Sequence, residues 1–395
     1  MNAPTYRENI YSPQAIKDPY PHYARLRALG PVVRLSKHRV HAITRYAECK
    51  QVLIDDSTYI SGRGVALNPI ANRMSRGTTL NSDGDEHATR RKLVAHRLTP
   101  RALRSMQGQV DAFAVEVVAK ALAKRDIDGV ADLAQALPLR VVPDLVGWPV
   151  DQRENLLRWA GATFDSLGPM NATSLRTMHS TLGMLQFSRQ VVRSGAVLPG
   201  SMGDEVLRAA RDGRLGIDEC PALMIDYLAP SLDTTISAIA ASLELFATHP
   251  DQWDTIRADP TLIPNAINEV VRLTSPVRAF SRKVAADTEL GGVGLSKGSR
   301  VLVLYASANR DELAWDRPDD FDVYRDATRQ LGFGHGTHGC AGQGLARMET
   351  EAILAELARH VERIELTGEP EWVRNNIIRS HRRLPLTLNP ARRNS

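Results

Sequence analysis

The sequence predicts a mainly α protein with a minor β portion, and three observations carry that expectation. From His87 to Ser275 the apolar residues recur at helical spacing with few interruptions. Alternating apolar strands and hairpin punctuation concentrate in two places, residues 30–60 and the stretch after Pro276. No Gly/Ser linker, low-complexity run or internal repeat divides the 395 residues, so a single domain is expected.

In chain order, DPYPHYARLRAL predicts a short helix, and VVRL and VHAI predict two strands. Residues 61–83 are rich in Gly, Ser, Asn and Arg and predict a long irregular loop, a feature that in a compact domain usually has a function. The helical part, 87–275, is expected to break at TPRAL, LPLRVVPDLVGWP, SLGPMN and AVLPGSMGDE. Its last long helix, Asp218 to Pro250, is interrupted by two prolines, Pro221 and Pro230. Pro221 sits near the start, where a missing N–H does no harm. Pro230 lies inside, where it deletes a helix hydrogen bond at a cost of roughly 3 kcal/mol. Beyond Pro276, TELGGVGLSKGSRVLVLY predicts hairpin strands, DRPDDFDVYR a loop, and residues 331–364 a Gly-rich turn followed by a helix from about Ala341 to Ile364.

Composition narrows the function. The chain is 43% apolar and 24% charged, enough for a sizeable core, with aromatics at only 5%. The N-terminus lacks the apolar run of a secretion signal, and no window offers the ~20 uncharged apolar residues of a membrane span. Cys49, Cys220 and Cys340 are an odd, scattered set, so a reducing cytoplasm is expected and disulfides are not. The net charge of +5 is too slight to imply nucleic acid. Between His87 and Val110, however, there is no acidic residue, while Arg90, Arg91, Lys92, Arg97, Arg101 and Arg104 crowd one helical region. That is either a solvated face or a docking site for an anionic partner.

The most informative segment is GFGHGTHGCAGQ, residues 332–343. Glycines 334, 336, 339 and 342 surround Cys340 at the entrance of a helix, letting the backbone approach a flat ligand, and helix N–H groups favour thiolate. A buried structural cysteine explains neither the glycines nor the two histidines. A zinc site from His335, His338 and Cys340 has suitable ligand types but cramped spacing and no fourth ligand. A thiolate ligand to haem iron accounts for the whole pattern.

Phe333, Gly336, His338, Cys340 and Gly342 fit F-x-x-G-x-H-x-C-x-G, and with these motifs the chain resembles the cytochrome P450 family over essentially its whole length. The resemblance implies a single-domain cytochrome P450 fold and haem b, its iron bound by Cys340. Glu269 and Arg272 in NEVVR match the family's E-x-x-R pair, with Arg325 as third partner in a buried cluster. His87 and Arg91 in HATRR, with Arg282 and His338, match the residues that reach the haem propionates, which need fixed cationic donors; Phe333 belongs to the same haem-binding set. Asp233 and Thr234 match the acid and alcohol that deliver protons on the dioxygen side. Thr234 can at the same time bond the Pro230 carbonyl one turn earlier and bend the helix.

The resemblance further implies a monooxygenase using dioxygen and electrons from a ferredoxin and its reductase, with the basic face and Arg347 as docking surface. A monomer free of membrane and nucleic acid is expected. A peroxide-driven hydroxylase would be expected to replace the acid and alcohol, a gas sensor would need a signalling segment, and a zinc protein is the remaining outsider.

Within the family, DPYP, GPVV, RYAE, SGRGVAL, FDSLGP, LDTT, SPVRAFSR and SANRD look like the bacterial group that O-demethylates para-methoxybenzoates. Carried over, Leu80, Phe164, Leu167, Val277 and Phe280 would line a compact apolar pocket. Where that group grips a carboxylate, ungapped matching places Met74, Gly77, Ile225 and Asp226. Asp226 would repel an anion unless Arg73 or Arg76 moved in. A small, largely neutral aromatic is therefore expected, hydroxylated or O-demethylated, with a compact alicyclic or terpenoid as the alternative, and Pro230 is expected to narrow the pocket.

Overall fold

The computed structural model describes residues 2–391. The expected strands Val32–Leu35 and Val40–Ile43 pair antiparallel, and Arg300–Val303 joins the second of them in parallel. Phe280–Val284 and Tyr59–Ile60 extend this sheet on one side, and Thr5–Tyr6 closes the other. The 30–60 region is not purely β, because the helix Tyr46–Ile54 interrupts it. A second sheet joins Val361–Leu366, Pro385–Pro390 and Asp126–Asp128.

The helical part is built around Cys220–Thr248, which runs unbroken through Pro230. Its buried Leu232, Ile239, Leu243 and Phe246 share the main core with Trp253 and Leu354, and the Phe246 and Trp253 rings lie 5.2 Å apart. Helix ends follow local chemistry. Thr99 caps Pro100–Lys124 by accepting from Ala102 N, and Asn171 and Ser174 cap Ala172–Ser194 reciprocally.

Two expectations need correction. LPLRVVPDLVGWP is not a break: Pro138 starts the helix Pro138–Val146, Pro143 is accommodated inside it, and Gly147 at φ 89° ends it. The helix after the cysteine turn spans Gln343–His360, and Val361–Leu366 leaves it as a strand because β-pairing with Pro385–Pro390 captures the next residues. Among the described residues, no helix is long and apolar enough to cross a membrane.

Candidate active site

The cysteine loop is a tight turn fixed by its own backbone. Gly334 N donates to Leu331 O at 2.9 Å, Gly339 N to Gly336 O at 2.9 Å and Cys340 N to Phe333 O at 2.8 Å. Gly334 and Gly336 hold φ of 70° and 69°, and a Cβ on Gly336 would come within 2.4 Å of Leu53 O, so glycine is required there. Arg347 covers Phe333, its guanidinium 4.6 Å from the ring centre. Cys340 is half-buried and lines a cavity of about 340 Å³. Burial pushes its thiol up, outweighing the Gly342 and Gln343 N–H groups and the Arg91 and Arg347 charges that pull it down. A bound metal cation would favour the thiolate form against this burial.

The same cavity gathers the nitrogen-bearing residues that the sequence scatters. His87 and Arg91 come from the helix Gly84–Ala95, Arg282 from the sheet and His338 from the cysteine loop, and all four line it. Arg91 Nη2 is anchored on Gly339 O at 2.7 Å and Arg282 Nη1 on Ser281 O at 2.9 Å. The His87 and His338 rings are 4.3 Å apart, and neither Nε2 has a hydrogen-bond partner although both atoms are buried, the Asp83 carboxylate lying 4.0 Å from that of His338. Burial first, and then the neighbouring arginines, lower both imidazoles, His338 to about 3, which favours their neutral forms. A Cβ on Gly342, which lines the cavity, would meet no protein atom within 4 Å. Two orphaned donors, two arginines and a thiol around an open glycine wall fit a flat dicarboxylate with a thiophilic metal, which is what haem is. No group of three or more His, Cys, Asp or Glu is arranged to hold a metal among the described residues, and His335 is exposed, so the zinc reading lacks a ligand set.

Opposite the loop, the central helix presents Asp226, Pro230 and Thr234 to the cavity. Thr234 Oγ1 donates to Pro230 O at 2.5 Å, and Ser231 and Ser237 repeat this back-bonding to Tyr227 O and Asp233 O. Asp233 is not a lining residue. Its Oδ2 lies against Gly161 of the helix Leu156–Leu167, where an added Cβ would sit 3.4 Å away. Burial pushes Asp233 up to about 7, with the carboxylate of Asp165 adding to the shift. Asp165 falls within FDSLGP, where only Phe164 and Leu167 carry an expected role, and its signal is a lone acid among the buried residues of its helix.

Leu80, Phe164, Leu167, Val277 and Phe280 all border the cavity, and Phe164 and Leu167 pack with Ile377 and Ile378 behind it. Of the positions matched to the carboxylate grip, Met74, Ile225 and Asp226 line it and Gly77 does not. Arg73 and Arg76 do not enter: they are exposed and border a separate surface cleft with Arg63 and Arg300. Asp226 has a further task, since Thr79 N donates to its Oδ2 at 2.6 Å and ties the 75–82 loop to the central helix. Burial still pushes it up to about 6, against the Thr79 and Leu80 donors and Arg90.

Away from the cavity, Arg272 donates two hydrogen bonds to the Glu269 carboxylate, from Nε at 2.7 Å and from Nη2 at 2.9 Å, and Arg325 Nε donates to Glu269 Oε1 at 3.0 Å. The remaining Arg272 donors end on the carbonyls of Asn309, Pro318 and Asp320. The basic stretch is smaller than the sequence implies. Arg90 is buried and ion-paired to Glu86 and Glu219, each at 2.6 Å, whereas Lys92, Arg101 and Arg104 remain exposed.

Residues 200–375 match the family model described as Cytochrome P450. The protein described as Cytochrome p450 CYP199A2, from Rhodopseudomonas palustris, is 37% identical over 95% of this chain and 92% of its own length. A beta-dihydromenaquinone-9 omega-hydroxylase of Mycobacterium tuberculosis is 29% identical over 96% of this chain and 78% of its own. Among solved structures, cytochrome P450 CREJ in complex with (4-ethylphenyl) dihydrogen phosphate superposes with a TM-score of 0.87 at 27% identity, covering 96% of this chain and 99% of the other.

Proposed function

This chain belongs to the cytochrome P450 family, oxidoreductases that hold haem through a cysteine thiolate, here Cys340, and on that premise we propose that it hydroxylates or O-demethylates a small, uncharged aromatic molecule with electrons from a ferredoxin. Bound haem supplies the iron centre at which dioxygen is reduced. Arg91 and Arg282 would neutralise its two carboxylates, and His87 and His338 would orient them as hydrogen-bond donors. Asp233 carries protons inward, and Thr234 passes them to the cavity through its hydroxyl, which the Pro230 carbonyl orients. Leu80, Phe164, Leu167, Val277 and Phe280 exclude water and face the ring of the substrate. Pro230 limits its width.

One observation carries the substrate reading: the anionic side chain of Asp226 lines the cavity, and the two arginines that could have offset it stay outside. An anionic substrate would meet repulsion in a site of low polarity. Titration of the ferric enzyme with 4-methoxytoluene and with 4-methoxybenzoate tests this. A complete low-to-high-spin shift with the neutral ether and a weak one with the benzoate are expected; tight, spin-shifting benzoate binding would refute the reading.

The exposed Lys92, Arg101 and Arg104 support docking of an acidic electron-transfer protein. Reduction by a ferredoxin should then slow as salt rises.

A further inference from the structure

Asp233 lies in unusual company for an acid that must hold and release a proton. Among the described residues the one charged group acting on it is another acid, Asp165. The helix Leu156–Leu167 packs on the central helix through Gly161, whose missing side chain admits Asp233 Oδ2. Asp165 follows one turn later on the same face, and only 4% of it is exposed. Asn376 N donates to Asp165 Oδ1 at 2.9 Å, and Asn375 Nδ2 holds the Gly161 carbonyl at 2.9 Å, which fixes this stretch of helix. On the far side, Thr177 and the exposed Arg176 of the helix Ala172–Ser194 face Asp165, and Arg278, anchored on Asn375 O and Asn376 O, completes its charged surroundings.

We propose that Asp165 and Asp233 form one proton-sharing pair, Asp165 being the outer acid that recharges Asp233 from the Thr177 side. The step rests on the reading of Asp233 as the proton carrier. A proton leaves the Asp233 carboxyl toward Thr234, the Asp165 carboxyl passes its proton through an intervening water to the Asp233 carboxylate, and solvent beside Arg176 reprotonates Asp165; no electrons move. Two neighbouring buried carboxyls resist double ionisation, so the pair keeps a proton available near neutral pH. Burial is the largest cause of both shifts: it pushes Asp165 up to about 6 against the Asn376 N–H, Arg176, Arg278 and Thr177, and pushes Asp233 up to about 7 with the Asp165 charge adding to it. Asp165 acts through Asp233 and is thus a positioning residue.

The test uses holoenzyme. Infrared pH titration follows the protonated-carboxyl band in wild type, D165N, D165E and D233N, and the solvent isotope effect on dioxygen consumption is measured with 4-methoxytoluene. In D165N the Asp233 band should titrate about one pH unit lower, because the like charge is gone, and consumption should fall by about tenfold with a larger isotope effect. D165E should restore part of both. Wild-type titration and isotope effect in D165N, beside collapsed turnover in D233N, would overturn the pair while leaving Asp233 in its role. Unchanged turnover in D233N would overturn both. If D165N fails to retain haem, D233N decides alone: the Asp165 band must titrate lower than in wild type, and an unmoved band overturns the proposal.

Discussion

Thr79 N donates to Asp226 Oδ2 at 2.6 Å, so one carboxylate both latches the 75–82 loop and faces the substrate cavity. Burial pushes Asp226 up to about 6, with the Thr79 and Leu80 donors opposing. Above that pH it is an anion and repels an anionic ligand; as pH falls through about 6 it is neutralised and the repulsion disappears. Binding of 4-methoxybenzoate should therefore tighten by about tenfold between pH 8 and pH 5.5, whereas 4-methoxytoluene binding should stay flat. D226N retains an acceptor for Thr79 N, and it should bind the benzoate tightly at both pH values. Spin-state titrations at the two pH values check this.

Pro230 leaves the central helix continuous but removes the N–H that would bond the Asp226 carbonyl. P230A should restore that bond and raise stability by about 1–3 kcal/mol, less the entropy that proline removes from the unfolded chain. It should also widen the cavity, because Pro230 lines it. Thermal melts should show a higher midpoint, and spin shifts should appear with bulkier ring compounds such as a methoxynaphthalene. A lower midpoint with no change in ligand range would contradict this account of the proline.

Glu269 and Arg272 are fully buried, and their charges are compensated by one another, by Arg325, by backbone groups and, for Arg272, by the Trp315 ring at 5.3 Å. Removing one partner of such a cluster strands the others in a medium of low polarity, at a cost of about 3–5 kcal/mol. E269A should therefore lose most of its folded, haem-loaded protein, and R272K should fall short of wild type because lysine cannot reproduce the forked contacts to Glu269 together with three carbonyls. Urea unfolding midpoints of the two variants measure the loss.

Glu349 sits in the helix Gln343–His360 with no exposure, and neither carboxyl oxygen has a partner. Burial pushes it up to about 8, above its value in the unfolded chain. The unfolded state releases the proton first, so folding loses stability as pH rises from about 4.5 to about 8. E349Q should flatten that slope and be more stable than wild type at pH 8, by an amount on the order of several kcal/mol. Denaturant titrations at pH 5 and pH 8 read the difference.

Much of this architecture is legible in the residues, and what is not has a common cause. Strands such as Val32–Leu35 and Val40–Ile43 follow from alternation, and the turn at Gly334 and Gly336 follows from backbone needs that only glycine meets. The Glu269 to Arg325 contact was legible through a motif, because the sequence separation of 56 conceals it from any local pattern. Asp165 was not legible in that way: its importance comes from the Gly161 crossing, and helix periodicity does not say which helix will lie opposite. Arg90 similarly looks like part of a basic face until Glu219, far along the chain, draws it inward. The helix Pro138–Val146 resembles a break in the sequence because Pro138 falls at its first position, where proline starts a helix as readily as it ends one.

The central claim is that Cys340 supplies a thiolate to haem iron in this cavity, and the absorbance of the reduced, carbon monoxide-bound protein tests it most directly. The account predicts a Soret band strongly red-shifted from that of histidine-ligated haem, and its loss in C340H. A wild-type Soret band at the histidine-ligated position, or purified protein without haem, would contradict it.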